Sequence, residues 1–392
     1  MDRSLPADPR RSSLDACTGL RFFAAMGVVG YHFYCPPCEP SAPSFLDKLF
    51  QAGFTTVSLF FVLSGFILAY NYLDERGGFI GTVRDFYRAR FARIYPIYLL
   101  ALAVDLPLFL RFLPSAEPAA TPGEVARLCA ATLTLTQSWL ELGRPTWNLM
   151  AWTLSVEAFF YLVFPFLGPW LARQGSRRLL GVAAGAWLLG AAPFLAGELA
   201  SVWGADGAAS LGVRGLRAWS QLPLQLIPPT RLPEFVLGMC LGLLFCRRTR
   251  QGSEAWRTVG LLATGAGIVT VILLLPPKPS PLVQLGVLVP LFALSIWLLA
   301  CGIAWNGLKL GTRPLVLLGG GSYALYLLHG SMMGYALALN TRTLSLPHNV
   351  VALLLLPIAV AASILLFQRL EEPARRWLRK SHRGIAKSSA LG

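Results

Sequence analysis

Six titratable side chains interrupt long apolar runs in this sequence: Arg21, His32, Asp105, Glu157, Glu234 and His329. An arginine or aspartate at membrane depth costs about 2.5–3.5 kcal/mol on insertion scales, so each such group is by default a candidate for function. His32 follows Arg21 by eleven residues. At 1.5 Å and 100° per residue that spacing is three turns plus about 20°, which sets both on one helix face about 16 Å apart in height. A histidine oriented by a carboxylate is the arrangement of a general base. His32 and Glu157 are the candidates for that pair: His32 is expected about 25 Å along the first apolar run and Glu157 about 7 Å below Trp152, both toward the outer surface. Asp105, beside Pro107, and Glu371, near the inner surface, read as structural.

Three further groupings carry chemistry. Ser322, Tyr326 and His329 follow i, i+4, i+7 spacing and line one helix face; they serve either an acceptor or an oxyanion, or else interhelical hydrogen bonding. Arg231 and Glu234, at i, i+3, open another apolar run and share the first of those readings. Arg90 and Arg93 lie one turn apart in Arg84-Asp-Phe-Tyr-Arg88-Ala-Arg90-Phe-Ala-Arg93. They form a pair of guanidinium forks suited to phosphates, or a solvated basic loop. Ser155 reads as a helix serine bonded to a carbonyl rather than as a nucleophile. Cys35-Pro-Pro-Cys38 follows His32 closely, as an external disulfide or, with His32, a metal site that lacks a fourth ligand. The expectation is therefore no metal.

These groups need a frame of membrane helices. Of 392 residues, 55% are hydrophobic and only 14% charged, against roughly 25% charged in a soluble domain. Spans are predicted at 15–34, 52–73, 94–113, 152–172, 179–197, 232–246, 257–275, 284–305, 315–337 and 349–368, each near the length that crosses a hydrocarbon core of about 30 Å. The fold class is thus all-α, a polytopic bundle of about ten transmembrane helices. Residues 1–14 form a cytoplasmic tail, 15–370 the transmembrane domain and 371–392 a basic cytoplasmic tail. Asp15 and Arg21 break the first run and no small-residue cleavage site follows it, against a cleaved signal peptide.

The net charge of +15 is spread between the spans rather than gathered on one solvated face, which argues against nucleic acid. With both termini cytoplasmic, the basic clusters at Arg76 to Arg93, Arg173 to Arg178, Arg247 to Arg257 and the C-terminal tail all fall inside, as the positive-inside rule requires. Making the apolar stretch Glu124 to Leu140 a span would invert everything after it. That stretch is expected to be an outer, re-entrant or interfacial helix. The absence of an evident internal repeat lowers the case for a two-halved transporter.

At these residues the sequence resembles the acyltransferase-3 family of membrane acyltransferases. The resemblance covers most of the chain in order: Leu14-Asp15-Ala-Cys-Thr-Gly19-Leu20-Arg21-Phe22-Phe23 with His32; Leu59-Phe60-Phe61-Val-Leu-Ser64-Gly65-Phe66; Arg90 and Arg93 before Tyr95-Pro96; Trp152-Thr-Leu-Ser155-Val-Glu157 with Phe160, Tyr161 and Pro165; Arg231-Leu-Pro233-Glu-Phe-Val-Leu-Gly238; Ser322-Tyr323 with His329; and Glu372-Pro373. Thr56 and Ser58 depart from the glycine and aspartate that the family often carries there, as does Cys17 in the first motif.

The resemblance implies transfer of an acyl group, acetyl foremost, from cytosolic acyl-CoA to a hydroxyl of an extracytoplasmic polysaccharide or glycolipid. The setting would be the bacterial cytoplasmic membrane. His32 is then the general base and Glu157 its orienting partner. Arg21, Arg90 and Arg93 bind acyl-CoA, unless Arg21 only pairs with Asp15. Ser322, Tyr326, His329, Arg231 and Glu234 attend the acceptor or oxyanion. Acyl-CoA is a co-substrate and no bound cofactor is expected. Other readings are acylation of a macrolide-type small glycoside and, in a different class, a proton-coupled transporter.

Overall fold

The computed structural model describes residues 9–34, 43–74, 77–115, 121–140, 147–202, 226–248, 254–274, 280, 282–302 and 310–376. Twelve α-helices are used below. They are α1 (Pro9–Phe33), α2 (Phe45–Gln51), α3 (Thr56–Tyr72), α4 (Val83–Phe112), α5 (Pro122–Leu133), α6 (Trp152–Ala172), α7 (Ser176–Val202), α8 (Pro228–Cys246), α9 (Glu254–Leu274), α10 (Val289–Ala300), α11 (Arg313–Thr343) and α12 (His348–Leu366). Single π-turns precede α10 at Val283–Leu288 and follow α12 at Phe367–Glu371. Strand pairing among the described residues is limited to one bridge, Leu73 to Phe79.

Nine helical stretches among the described residues are long and apolar enough to cross a membrane, and they coincide with predicted spans two to ten. The first predicted span is α1, 25 residues long, whose hydropathy is lowered by Asp15, Arg21 and His32. The chain is an all-α polytopic membrane bundle. Large apolar side chains such as Phe166, Leu189, Leu274 and Leu353 remain exposed on its helices, the surface expected where lipid rather than water is the solvent. The doubtful stretch resolves into α5, a backbone reversal at Leu135 (φ 58°) and a 3-10 turn at Gln137–Trp139. Twelve residues of α5 span only about 18 Å, too short to cross. Thr121 and Glu124 start it with a capping box.

The chain divides into two compact units: Met1–Tyr31, Pro36–Ile80 and Phe166–Gly319 form the first; His32–Cys35, Gly81–Pro165 and Gly320–Gly392 form the second. The first unit is organised by the crossing of α3 and α8. A Cβ added at Gly65 would stand 2.1 Å from the Phe235 carbonyl oxygen, and one at Gly238 would stand 1.9 Å from that of Val62. Only glycine at both positions permits so close an approach. The hydroxyl of Thr56 donates to the Ala24 carbonyl at 2.8 Å, tying α3 to α1, so one family departure has become a link between helices.

In the second unit, polar side chains lace the helices through backbone carbonyls. Tyr98 donates to Thr132 O at 2.6 Å, Trp147 to Leu102 O at 2.9 Å, Asn148 to Leu327 O at 3.2 Å and Tyr323 to Ile94 O at 2.9 Å. Such bonds satisfy polar groups where water is scarce. Asp105, read as structural, accepts from Ser331 at 2.7 Å. Ser155 is buried and accepts from the Ser138 amide at 3.3 Å. Cys35, Cys38 and the residues after Arg376 lie outside the described residues.

Candidate active site

The candidate site is assembled within the second unit, and its first component is a pair of histidines. His32 is the penultimate residue of α1, and His329 lies midway along α11. Their rings approach with centroids 5.0 Å apart, and His329 Nε2 is 3.3 Å from His32 Nδ1. His329 Nδ1 is 3.2 Å from the Leu325 carbonyl oxygen. Phe33 and Tyr326 each place a ring 6.0 Å from that of His329. The end of α1 is anchored by His348 at the start of α12, whose Nε2 donates to Phe33 O at 3.0 Å. His329 is fully buried while His32 is partly exposed, so the ring with access to a reactant is supported by one without it.

Ser322 and Tyr326 are buried on α11 with His329, the face expected from i, i+4, i+7 spacing. The structure brings His329 to His32. Spacing alone gave no sign of this, because the two residues are almost three hundred positions apart in sequence.

The second component gathers around Arg93. The groups acting electrostatically on its guanidinium are Tyr161, Glu371, Glu157 and Tyr323. Glu157 accepts a short hydrogen bond from the Tyr161 hydroxyl one turn later on α6. Arg90 lies over the Tyr161 and Phe86 rings, with Cζ 5.6 and 5.9 Å from their centroids, distances at which a cation and an aromatic face attract. The expectation that Arg93 lies at the inner surface and Glu157 near the outer one is corrected here: both belong to one cluster. The reason is the length of α4, which begins at Val83, so that Arg93 stands ten residues, about 15 Å, along the helix. Glu371, read as structural, is buried in the π-turn after α12 and completes the cluster. The Glu157 to Tyr161 contact was legible as an i, i+4 pair; the approach of Glu371 and Tyr323 to Arg93 had no local signal.

The remaining candidates belong to the first unit. Arg21 is half-buried, midway along α1. Arg231 and Glu234, on α8, are 1% and 3% exposed and form an ion pair at 3.0 Å. Arg231 also donates to Ser58 Oγ at 3.1 Å and lies 5.0 Å from the Phe61 ring centroid, while Gln284 donates to the same hydroxyl at 2.8 Å. Ser58, the other family departure, is thus the acceptor of two buried donors. Gln284 escaped sequence reasoning because a lone glutamine in an apolar run marks no particular chemistry. Among the described residues no group of three or more His, Cys, Asp or Glu is placed to hold a metal ion.

Chemically, the second unit offers an accessible imidazole with a fixed hydrogen-bond partner and a cation cluster balanced by carboxylates and phenols. Comparison with known proteins gives this arrangement a context. The family model described as an acyltransferase domain matches residues 13–368. Acyltransferase MdmB of Streptomyces mycarofaciens is 32% identical over 94% of this chain and 94% of its own length. Protein 2 in picA locus of Rhizobium radiobacter is 37% identical over 24% of this chain and 44% of its own length. O-acetyltransferase OatA of Staphylococcus aureus is 26% identical over 42% of this chain and 26% of its own length. No solved structure matches. With the helices, the ordered motifs and an almost full-length match in agreement, the chain belongs to the acyltransferase-3 family of integral membrane acyltransferases.

Proposed function

We propose that this acyltransferase moves an acyl group, acetyl in the first instance, from cytosolic acyl-CoA to a hydroxyl of an extracytoplasmic polysaccharide or glycolipid, in a bacterial cytoplasmic membrane. The observation that carries the reading is the partly exposed His32 with Nδ1 held against His329 Nε2 at 3.3 Å, within a chain of this family. His32 Nε2 takes the proton of the acceptor hydroxyl as its oxygen attacks the thioester carbonyl. The tetrahedral intermediate collapses with cleavage of the carbon–sulfur bond. The proton held on His32 then passes to the departing thiolate, leaving an ester and free CoA thiol.

Arg90 and Arg93 would hold the donor's phosphates, competing with Glu157 and Glu371 for the Arg93 guanidinium. The name of OatA supports an acetyl group. The concentration of basic residues between alternate spans supports cytoplasmic termini, with the acceptor on the far side.

The test uses the full chain in nanodiscs with radiolabelled acetyl-CoA and a panel of glycan, glycolipid and small-glycoside acceptors. Loss of a general base slows transfer by about 10²–10⁴-fold, so His32→Ala is expected to lose label transfer by that factor without loss of folded protein. Unchanged transfer by His32→Ala would overturn the base assignment. Paired Arg90→Ala and Arg93→Ala substitution is expected to raise the KM for acetyl-CoA; an unchanged KM would remove the arginines from the donor site.

A further inference from the structure

We infer that His329 is a positioning residue that sets the protonation pattern of His32, so that the basic lone pair of His32 lies on Nε2. The inference rests on His32 being the base proposed above and assigns a partner to it. A carbonyl oxygen can only accept a hydrogen bond. The contact of His329 Nδ1 with Leu325 O at 3.2 Å therefore places a proton on His329 Nδ1. In the neutral ring the other nitrogen, Nε2, then carries a lone pair and acts as an acceptor.

That acceptor faces His32 Nδ1 at 3.3 Å, so the proton shared between the rings belongs to His32 Nδ1. It follows that neutral His32 presents an unprotonated Nε2. The direction of the whole chain, from Leu325 O through two imidazoles, is thus set by one backbone carbonyl of α11.

The arrangement acts at two moments. Before reaction it holds the neutral tautomer in which Nε2 can receive the acceptor's proton. Once that proton has arrived, His32 carries positive charge, and its Nδ1–H still donates to the neutral His329 Nε2. A hydrogen bond to a charged donor is stronger than one to a neutral donor, so the contact strengthens as charge develops. The full burial of His329 and the rings of Phe33 and Tyr326 flanking it keep its orientation constant. Nothing moves except the proton.

Two substitutions separate this from a packing role. His329→Leu keeps the bulk without an acceptor, whereas His329→Gln offers an amide oxygen to His32. Misplacing a reacting group by about 1 Å costs on the order of 10²-fold. A fall in kcat of about 10- to 100-fold is accordingly expected for His329→Leu, with KM for acetyl-CoA and acceptor little changed, and substantial recovery for His329→Gln. Equal kcat for Leu and Gln variants, or no fall in either, would overturn the inference.

A spectroscopic readout reaches the protonation pattern directly. The chain holds four histidines, His32, His329, His348 and His382, few enough for ring nitrogen-15 resonances to be assigned by single substitutions in nanodiscs. Neutral His32 is expected to carry its proton on Nδ1, and that resonance is expected to move in His329→Leu. A proton found on Nε2 in the unsubstituted chain would overturn the inference even if His329→Leu fails to fold. The outcome is separable from the base assignment: if His32→Ala still transfers label, the base is wrong whatever the tautomer. If His32→Ala is inactive while His329→Leu keeps kcat and resonances, only the inference falls.

Discussion

Two polar regions of this chain both set arginine against glutamate and differ in access. In the first unit, Arg231 and Glu234 are sealed at 1% and 3% exposure and bonded within a small circle of Ser58, Gln284 and the Phe61 ring. In the second unit, His32 is only partly buried beside buried His329, and Arg90, Arg93 and Glu157 are only partly buried in the group that includes buried Glu371. A sealed ion pair cannot meet a substrate without opening. Its measurable effect is on folding, since removing one partner of a buried pair leaves a charge in a medium that cannot solvate it. His32, Arg90, Arg93 and Glu157 each keep part of their surface exposed, and buried groups support them. Depth in the membrane marks both clusters alike; access separates them.

That contrast sorts the expected consequences of substitution. The largest concerns the sealed pair: Arg231→Met is expected to cost about 3–5 kcal/mol of stability, because it strands Glu234, whereas adding Glu234→Leu restores most of the loss. Thermal unfolding in nanodiscs measures both. A single variant that unfolds normally but loses turnover would transfer Arg231 to the reactive region and erase the distinction. Next, Gly238→Ala places a methyl group where the Val62 carbonyl oxygen already lies, 1.9 Å away. Overpacking of this kind costs about 1–3 kcal/mol, and the loss should appear in the unfolding temperature with kcat per folded molecule preserved. The smallest effect is expected for a single hydrogen bond beside Arg93. Tyr161→Phe deletes the donor to Glu157, a bond with a net value of about 0.5–1.5 kcal/mol. If the cluster binds the donor, that loss appears chiefly as a raised KM for acetyl-CoA. A change confined to unfolding would class the cluster with Arg231 and Glu234 as framework.

Much of this architecture was legible before any coordinates. Nine predicted spans correspond to helices apolar enough to cross a membrane, and the tenth to α1, because a hydrocarbon solvent leaves a long apolar segment little choice but to be helical. The short α5 was legible as a segment that does not cross, through the charge pattern that a crossing would have violated. Helix-face relations were equally accessible, including Ser322, Tyr326 and His329 on one side of α11. Contacts between distant segments were not. Glu157 is expected beside His32 from depth counted along an ideal helix, which says nothing of which neighbour a side chain turns toward; the structure shows that Glu157 accepts a hydrogen bond from Tyr161.

For the histidine on which the functional reading turns, the sequence alone determined its helix, its place near that helix's end and its company with Arg21 on one face. Tertiary structure decided which nitrogen of His32 faces His329, because a ring's proton follows its nearest donor and acceptor, and those come from residues nearly three hundred positions away. It likewise decided that Arg231 and Glu234 are buried against each other as an ion pair. Helices are set by local hydrogen bonds and the solvent around them, which a sequence encodes directly. Pairings between helices depend on how whole faces pack, and the close crossing at Gly65 and Gly238 exists only once the chain has folded.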